Sequence, residues 1–89
     1  MKTIWKYSLP DWENDILVPR NSFVSHFAIQ NGVPTVWVMI NSEGEEEMRH
    51  FRVVGTGHQI QKDEYNCGTT IDGSFVWHLM ERIRDYRFW

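Results

Sequence analysis

The sharpest local chemistry in this 89-residue sequence is the run Gly55-Thr56-Gly57-His58. Two glycines one residue apart let backbone amides turn inward into a small anion-binding concavity, and the Thr56 hydroxyl adds a donor. Arg52, just upstream, offers a guanidinium suited to a bidentate phosphate contact. The run lacks the third glycine and the following long helix of a dinucleotide fingerprint, and it is not a P-loop. Its plainer reading is a bulge or turn that ends a strand. Arg52, Gly55, Thr56, Gly57 and His58 are therefore the candidate ligand-binding set.

Other reactive residue types carry less. The histidines His26, His50, His58 and His78 lie 24, 8 and 20 positions apart, and no pair has the short spacing of a zinc helix or knuckle. From neighbouring strands His26, His50 and His78 can still converge, but the ordinary reading is half-buried, hydrogen-bonded sheet residues, so no metal is expected. Cys67 has no base beside it in sequence and reads as a small core filler. Ser22, Ser25 and Ser74 carry no nucleophile elbow. The carboxylates of Asp11 and Glu13, and of Glu45-Glu46-Glu47, are spaced as surface groups rather than as an acid/base pair. The expectation is a protein that binds rather than catalyses, without a cofactor.

Two indoles stand outside the regular pattern. Trp12 follows Pro10 in a loop and Trp89 ends the chain, positions where a large ring in water favours an interface. With the acidic connection that contains Glu45, Glu46 and Glu47, they form the candidate contact set, and a homo-oligomer is the expected partner arrangement. A base-stacking role is open to the rings, but twelve acidic against nine basic residues argue against extended nucleic acid.

The elements that must hold these residues are strands. Short apolar runs recur about every ten residues between turn residues, the spacing of an antiparallel β meander. Alternation places strands at 3–9, 15–18, 22–30, 35–41, 48–54, 65–71 and 75–80. Asn31-Gly32 marks a two-residue hairpin, and Asp72-Gly73 marks a second. Residues 35–41 are apolar on both faces, which predicts a central strand covered on both sides. Trp5, Trp37 and Trp77 sit inside strands and are expected in the core. At the end of the chain Leu79, Ile83 and Tyr86 fall at helical spacing. The predicted fold is mainly β: six or seven antiparallel strands in a small partly closed barrel or sandwich, with a short C-terminal helix.

Length and composition set the remaining bounds. A chain this short builds one core, and 15% aromatics compensate for its small size. The longest apolar run, 36–40, is far short of the roughly 20 residues of a membrane helix. The start has no apolar signal core, and a single cysteine excludes an internal disulfide and fits a reducing cytosol.

Several stretches together resemble a known family: the opening Met1-Lys2-Thr3-Ile4-Trp5-Lys6-Tyr7, Gln30-Asn31-Gly32-Val33-Pro34 with Trp37, Phe51-Arg52 with Gly55-Thr56-Gly57-His58, and Phe75-Val76-Trp77-His78. These are small proteins encoded by bacteriophages and prophage-bearing bacteria and catalogued as a domain of unknown function. The resemblance spans about residues 1–81, which leaves 82–89 as an extension of the single domain. It implies an accessory protein working in a bacterial cytoplasm. Two expectations follow for such a protein. One is sequestration of a nucleotide-derived immune signal at a protomer interface. The alternative is direct inhibition of a host defence protein, such as a CRISPR nuclease, through the acidic loop and exposed rings.

Overall fold

The structure, a computed structural model, describes residues 1–83. Seven strands are present: β1 (Lys2–Ser8), β2 (Glu13–Pro19), β3 (Phe23–Gln30), β4 (Val33–Asn41), β5 (Glu46–Gly55), β6 (Glu64–Asp72) and β7 (Phe75–Arg82). They form two antiparallel sheets, a small one ordered β1-β4-β3 and a large one ordered β2-β5-β7-β6.

Both predicted hairpins occur. Gln30 pairs with Val33 around Asn31-Gly32, and both loop residues take positive φ (50° and 78°), the requirement that selects Asn-Gly at such a turn. Asp72 pairs with Phe75, so the second loop is Gly73-Ser74, one residue later than the sequence signal, with Gly73 at φ 61°.

Over the described residues, the expected six or seven strands in a partly closed barrel or sandwich ending in a short helix are corrected. The strands divide between two sheets with no closed barrel, and no helix occurs among the described residues. The division occurs at residues 9–12. The Leu9 N–H still donates to the Pro34 carbonyl of the small sheet (2.8 Å), whereas the Trp12 carbonyl already accepts from Val53 N–H of the large sheet (2.9 Å). A four-residue connection thus carries the chain from one sheet to the other. The helical spacing of Leu79 and Ile83 was a coincidence of a short window: Leu79, Met80 and Glu81 pair with β5 on one side and β6 on the other, and ladder bonds on both sides fix them as strand. Tyr86, the third residue of that pattern, and Trp89 lie outside the described residues.

The core is aliphatic with two phenylalanines. Leu9, Val36, Val38 and Ile40 meet Phe51, Val53 and Leu79 of the large sheet, with Phe27 beside them. The expected tryptophan core is corrected for Trp5 and Trp37, whereas Trp77 packs against the core from its margin. Trp5 is 42% exposed, and Trp37 and Trp77 are half-buried. Trp37 alternates with the inward-facing Val36 and Val38 and so lies on the outer face, and Trp5 lies on β1, an edge strand of its sheet. Strand β4 is central in its sheet; its inward face is fully covered and its outer face only in part, with Thr35 buried at one end. Outward, Met39 is exposed, and Trp37 packs beside His26 with ring centroids 5.4 Å apart. Lys6 Nζ also donates across that outer face to Gln30 Oε1 (2.9 Å).

The two sheets close on one another along β3 and β6, and each of these strands carries a register shift there, between Val24 and His26 and between Asn66 and Gly68. A Cβ on Gly68 would lie 3.1 Å from Phe27 Cβ. Beside this seam a buried ion pair ties β5 to β7. Arg49 Nε and Nη2 donate to the two Glu81 oxygens (2.5 and 2.7 Å), and Nη1 donates to the Ser22 carbonyl (2.7 Å). Tyr65 Oη also donates to Glu81 Oε1 (2.7 Å). Burial by itself would pull the Arg49 guanidinium down. The Glu81 hydrogen bonds and charge, with Tyr65 and Glu47, outweigh it and hold the group above its ordinary value.

Two stability outcomes follow. Gly68→Ala pushes a methyl against the Phe27 Cβ and is expected to cost about 1–3 kcal/mol in urea unfolding, because neither backbone can retreat freely. Glu81→Ala leaves the Arg49 charge buried without its carboxylate, and a loss of about 3–5 kcal/mol is expected in the same assay. An unchanged urea midpoint in either variant contradicts the corresponding contact.

Candidate functional site

Gly55 ends β5, and the chain reverses at once. His58 N–H donates to the Gly55 carbonyl (3.1 Å), and Gly57 takes φ 91°, so residues 55–58 form a tight turn that needs glycine at its third position. Gly55 N–H donates to His58 Nδ1 (3.0 Å), which folds the imidazole back over the glycine. A Cβ at residue 55 would meet His58 Cε1 at 3.3 Å and the Trp77 ring at 3.5 Å. Because Nδ1 accepts, the neutral His58 ring carries its proton on Nε2 and presents a donor. Thr56 Oγ1 bonds His78 Nε2 (2.8 Å), and Thr69 Oγ1 bonds the other ring nitrogen (2.9 Å), so His78 fastens the turn to β6.

Arg52 is close to this turn but is otherwise engaged. Its Nε and Nη2 donate to both Glu64 oxygens (2.7 and 2.6 Å), and Nη2 also donates to the Gln59 carbonyl (2.9 Å). This clamp fastens the 56–63 segment, which leaves β5 and returns as β6. Glu64, nearly buried, also accepts from Gln61 N–H (2.8 Å). The Arg52 hydrogen bond holds the Glu64 carboxyl below its ordinary 4.5, with help from Gln61 N–H and the Arg52 and Arg82 charges, against the opposing effect of burial.

The turn does not stand alone. Trp77, opposite Gly55 across the β5–β7 ladder, lies 5.4 Å centroid to centroid from Trp12 and 5.7 Å from Phe75, with Phe75 stacked at 20°. Trp12 and Phe75 are 62% and 61% exposed, so this row of three rings faces solvent. Two open grooves flank it. One, 580 Å³, is lined by Trp12, Glu13, Arg52, Val53, Val54, His58 and Trp77. The other, 410 Å³, is lined by Gly55, Thr56, His58, Ser74, Phe75, Val76 and Trp77. His58 and Trp77 belong to both. The structure therefore brings Arg52, Gly55, Thr56 and His58 together, adjoins the Gly57 bend, and adds Trp12 from the contact set.

The acidic residues are elsewhere. Glu46 and Glu47 belong to β5, not to a loop, and Glu46 starts a ten-residue strand that Gly55 ends, a span of about 30 Å. Glu47 is 7% exposed and lies near Arg20 (3.9 Å). Only residues 42–45 form the connection, with Glu45 exposed. The histidines do not converge. His26 lies on the small sheet, His50 contacts Asp15, and among the described residues no group of three His, Cys, Asp or Glu could hold a metal ion. Cys67 is half-buried, with Sγ 3.7 Å from Glu81 Oε1.

Sequence reasoning missed Phe75 and Trp77 as site residues. The available signal was the hairpin at Gly73, which fixes Phe75 beside a turn and Trp77 two residues on, on the same face as Phe75.

Fold and site together define a small two-sheet β domain whose distinguishing feature is an exposed row of rings beside a glycine turn. The chain belongs to the family described as a domain of unknown function, DUF7352, whose model matches residues 1–87. No curated protein and no solved structure matches it.

The Arg52–Glu64 clamp has a pH signature. A carboxyl held below its ordinary value stabilises the fold above that value, and this contribution is lost as pH falls through the folded pKa. Glu64→Gln removes it. The thermal-midpoint gap between wild type and Glu64→Gln is therefore expected to be widest above about pH 5 and to close as the solution is acidified below about pH 4. A gap that stays constant over that window contradicts the clamp.

Proposed function

We propose that this chain is a non-enzymatic accessory protein of phage or prophage origin that counteracts bacterial defence by stoichiometric binding. Its target in this reading is a nucleotide-derived immune signal, held by the rings of Trp12, Trp77 and Phe75 and by the Gly55–His58 turn. The observation that carries the reading is the contiguity of the ring row with that turn: a base can stack on Trp12 or Phe75 while His58 Nε2–H and the turn face its polar groups. The Arg52 guanidinium contributes by fixing the loop rather than by taking a phosphate, since Glu64 already occupies it. The grooves are open, whereas tight sequestration requires enclosure, so a second copy covering the ring row completes the pocket.

A second reading, direct inhibition of a host defence protein such as a CRISPR nuclease, is favoured by the exposure of Trp12 and Phe75, the kind of rings that anchor interfaces. The acidic run gives it less support, because Glu47 is buried and faces Arg20.

A panel of cyclic nucleotides and ADP-ribose derivatives tests the first reading. A cognate ligand at a hundred times its Kd is expected to add about 2.7 kcal/mol of stability, seen as a raised thermal midpoint. Trp12→Ala and Phe75→Ala should each weaken that ligand by roughly tenfold, the size of a lost base stack. A flat midpoint across the panel, with a host protein captured only when both rings are intact, transfers the case to the second reading.

A further inference from the structure

The row of rings has a second flank of opposite chemical character. On the side away from the glycine turn lies a 310 Å³ cleft lined by Leu9, Pro10, Asp11, Trp12, Ile29, Gly32, Pro34, Asp72 and Trp77. Three connections meet there: residues 9–12 between β1 and β2, the Asn31-Gly32 hairpin, and the end of β6 at Asp72. Leu9 is fully buried, and Ile29 and Pro34 are half-buried beside it. Trp12 and Trp77 contribute two indoles, set at 45° to one another. Asp11 and Asp72 are exposed, and among the described residues neither is in an ion pair. No lysine, arginine or histidine lines the cleft.

We propose that this cleft is a binding site for an organic cation, a guanidinium or alkylammonium group, recognised by the indoles of Trp12 and Trp77 with the carboxylates of Asp11 and Asp72. The face of an indole carries the negative end of its quadrupole and attracts a cation held against it. Two carboxylates on the same cleft add a Coulombic term that salt weakens. The apolar residues suit the methylene or methyl groups that accompany such a charge, which an inorganic ion lacks. An anionic nucleotide is repelled by the same carboxylates. The proposal therefore goes beyond the function proposed above and does not rest on it, although both use Trp12 and Trp77. The backbone of residue 11 is held independently of its side chain, because Asp11 N–H donates to Asn14 Oδ1 (3.2 Å) and the Asp11 carbonyl accepts from Asn14 Nδ2 (2.7 Å). Removing the Asp11 charge thus leaves the connection in place.

The test is a titration followed on the indole N–H resonances of Trp12 and Trp77, using methylguanidinium, N-acetylglycyl-arginine amide and, as the neutral isostere, N-methylurea. Saturable shifts with the two cations and none with N-methylurea are expected. The double variant Asp11→Asn/Asp72→Asn should weaken cation binding roughly tenfold or more with an unchanged thermal midpoint. The tighter of the two cations tells a free small molecule from an arginine side chain presented by a partner. In wild type, high salt should weaken both. Equal shifts with N-methylurea, salt-independent binding, or full affinity in the double variant overturns the proposal. Titration with AMP in the double variant keeps the two ideas apart: retained nucleotide binding with lost cation binding supports the cation site, and the reverse outcome overturns it.

Discussion

The close approach of Phe27 to Gly68 is the constraint on which the two-sheet arrangement rests. The two sheets bury their inner faces against one another, and β3 and β6 bring one pair of edges together at the point where each strand carries a register shift. The Arg49–Glu81 pair lies beside this seam, and its Nη1–H reaches the Ser22 carbonyl just ahead of β3. An ion pair so deeply buried is a poor source of net stability but a strong guide to register. Any slip of β5 against β7 separates Arg49 from its carboxylate and leaves a buried charge unpaired.

Once the sheets are fixed, the functional surface follows from strand polarity. Antiparallel order brings the end of β5, the start of β7, the β3–β4 hairpin and the β1–β2 connection to one end of the molecule. Trp77, half-buried against the core, and the exposed Trp12 occupy this margin, where Phe75 joins them. The margin is also where connections are short and polar, so rings come to lie beside a glycine turn on one flank and two carboxylates on the other.

The element level was largely legible in the sequence. Alternation located all seven strands to within a few residues, and Asn31-Gly32 placed its hairpin without error, because a period of two and a demand for positive φ are local properties. The start of the expected helix, Leu79 to Arg82, is strand for the complementary reason, and most of the remaining stretch lies outside the described residues. Leu79 and Ile83 carry a spacing compatible with either structure, and the pairing partners that decide between them, Phe51, Val53, Tyr65 and Gly68, are distant in sequence. At the site, the glycines of 55–58 identified a turn, but nothing local revealed that Arg52 would be taken by Glu64, twelve residues on.

By itself, then, the sequence determined the strands, the tight turns and the residue types available for binding, because each depends on side-chain alternation or on a backbone angle within a few residues. Only the tertiary structure decided how the strands divide between two sheets, which tryptophans remain outside, and which charges are already satisfied. These depend on what lies across a 10 Å gap or a neighbouring ladder, and such neighbours are chosen by packing and desolvation over the whole chain.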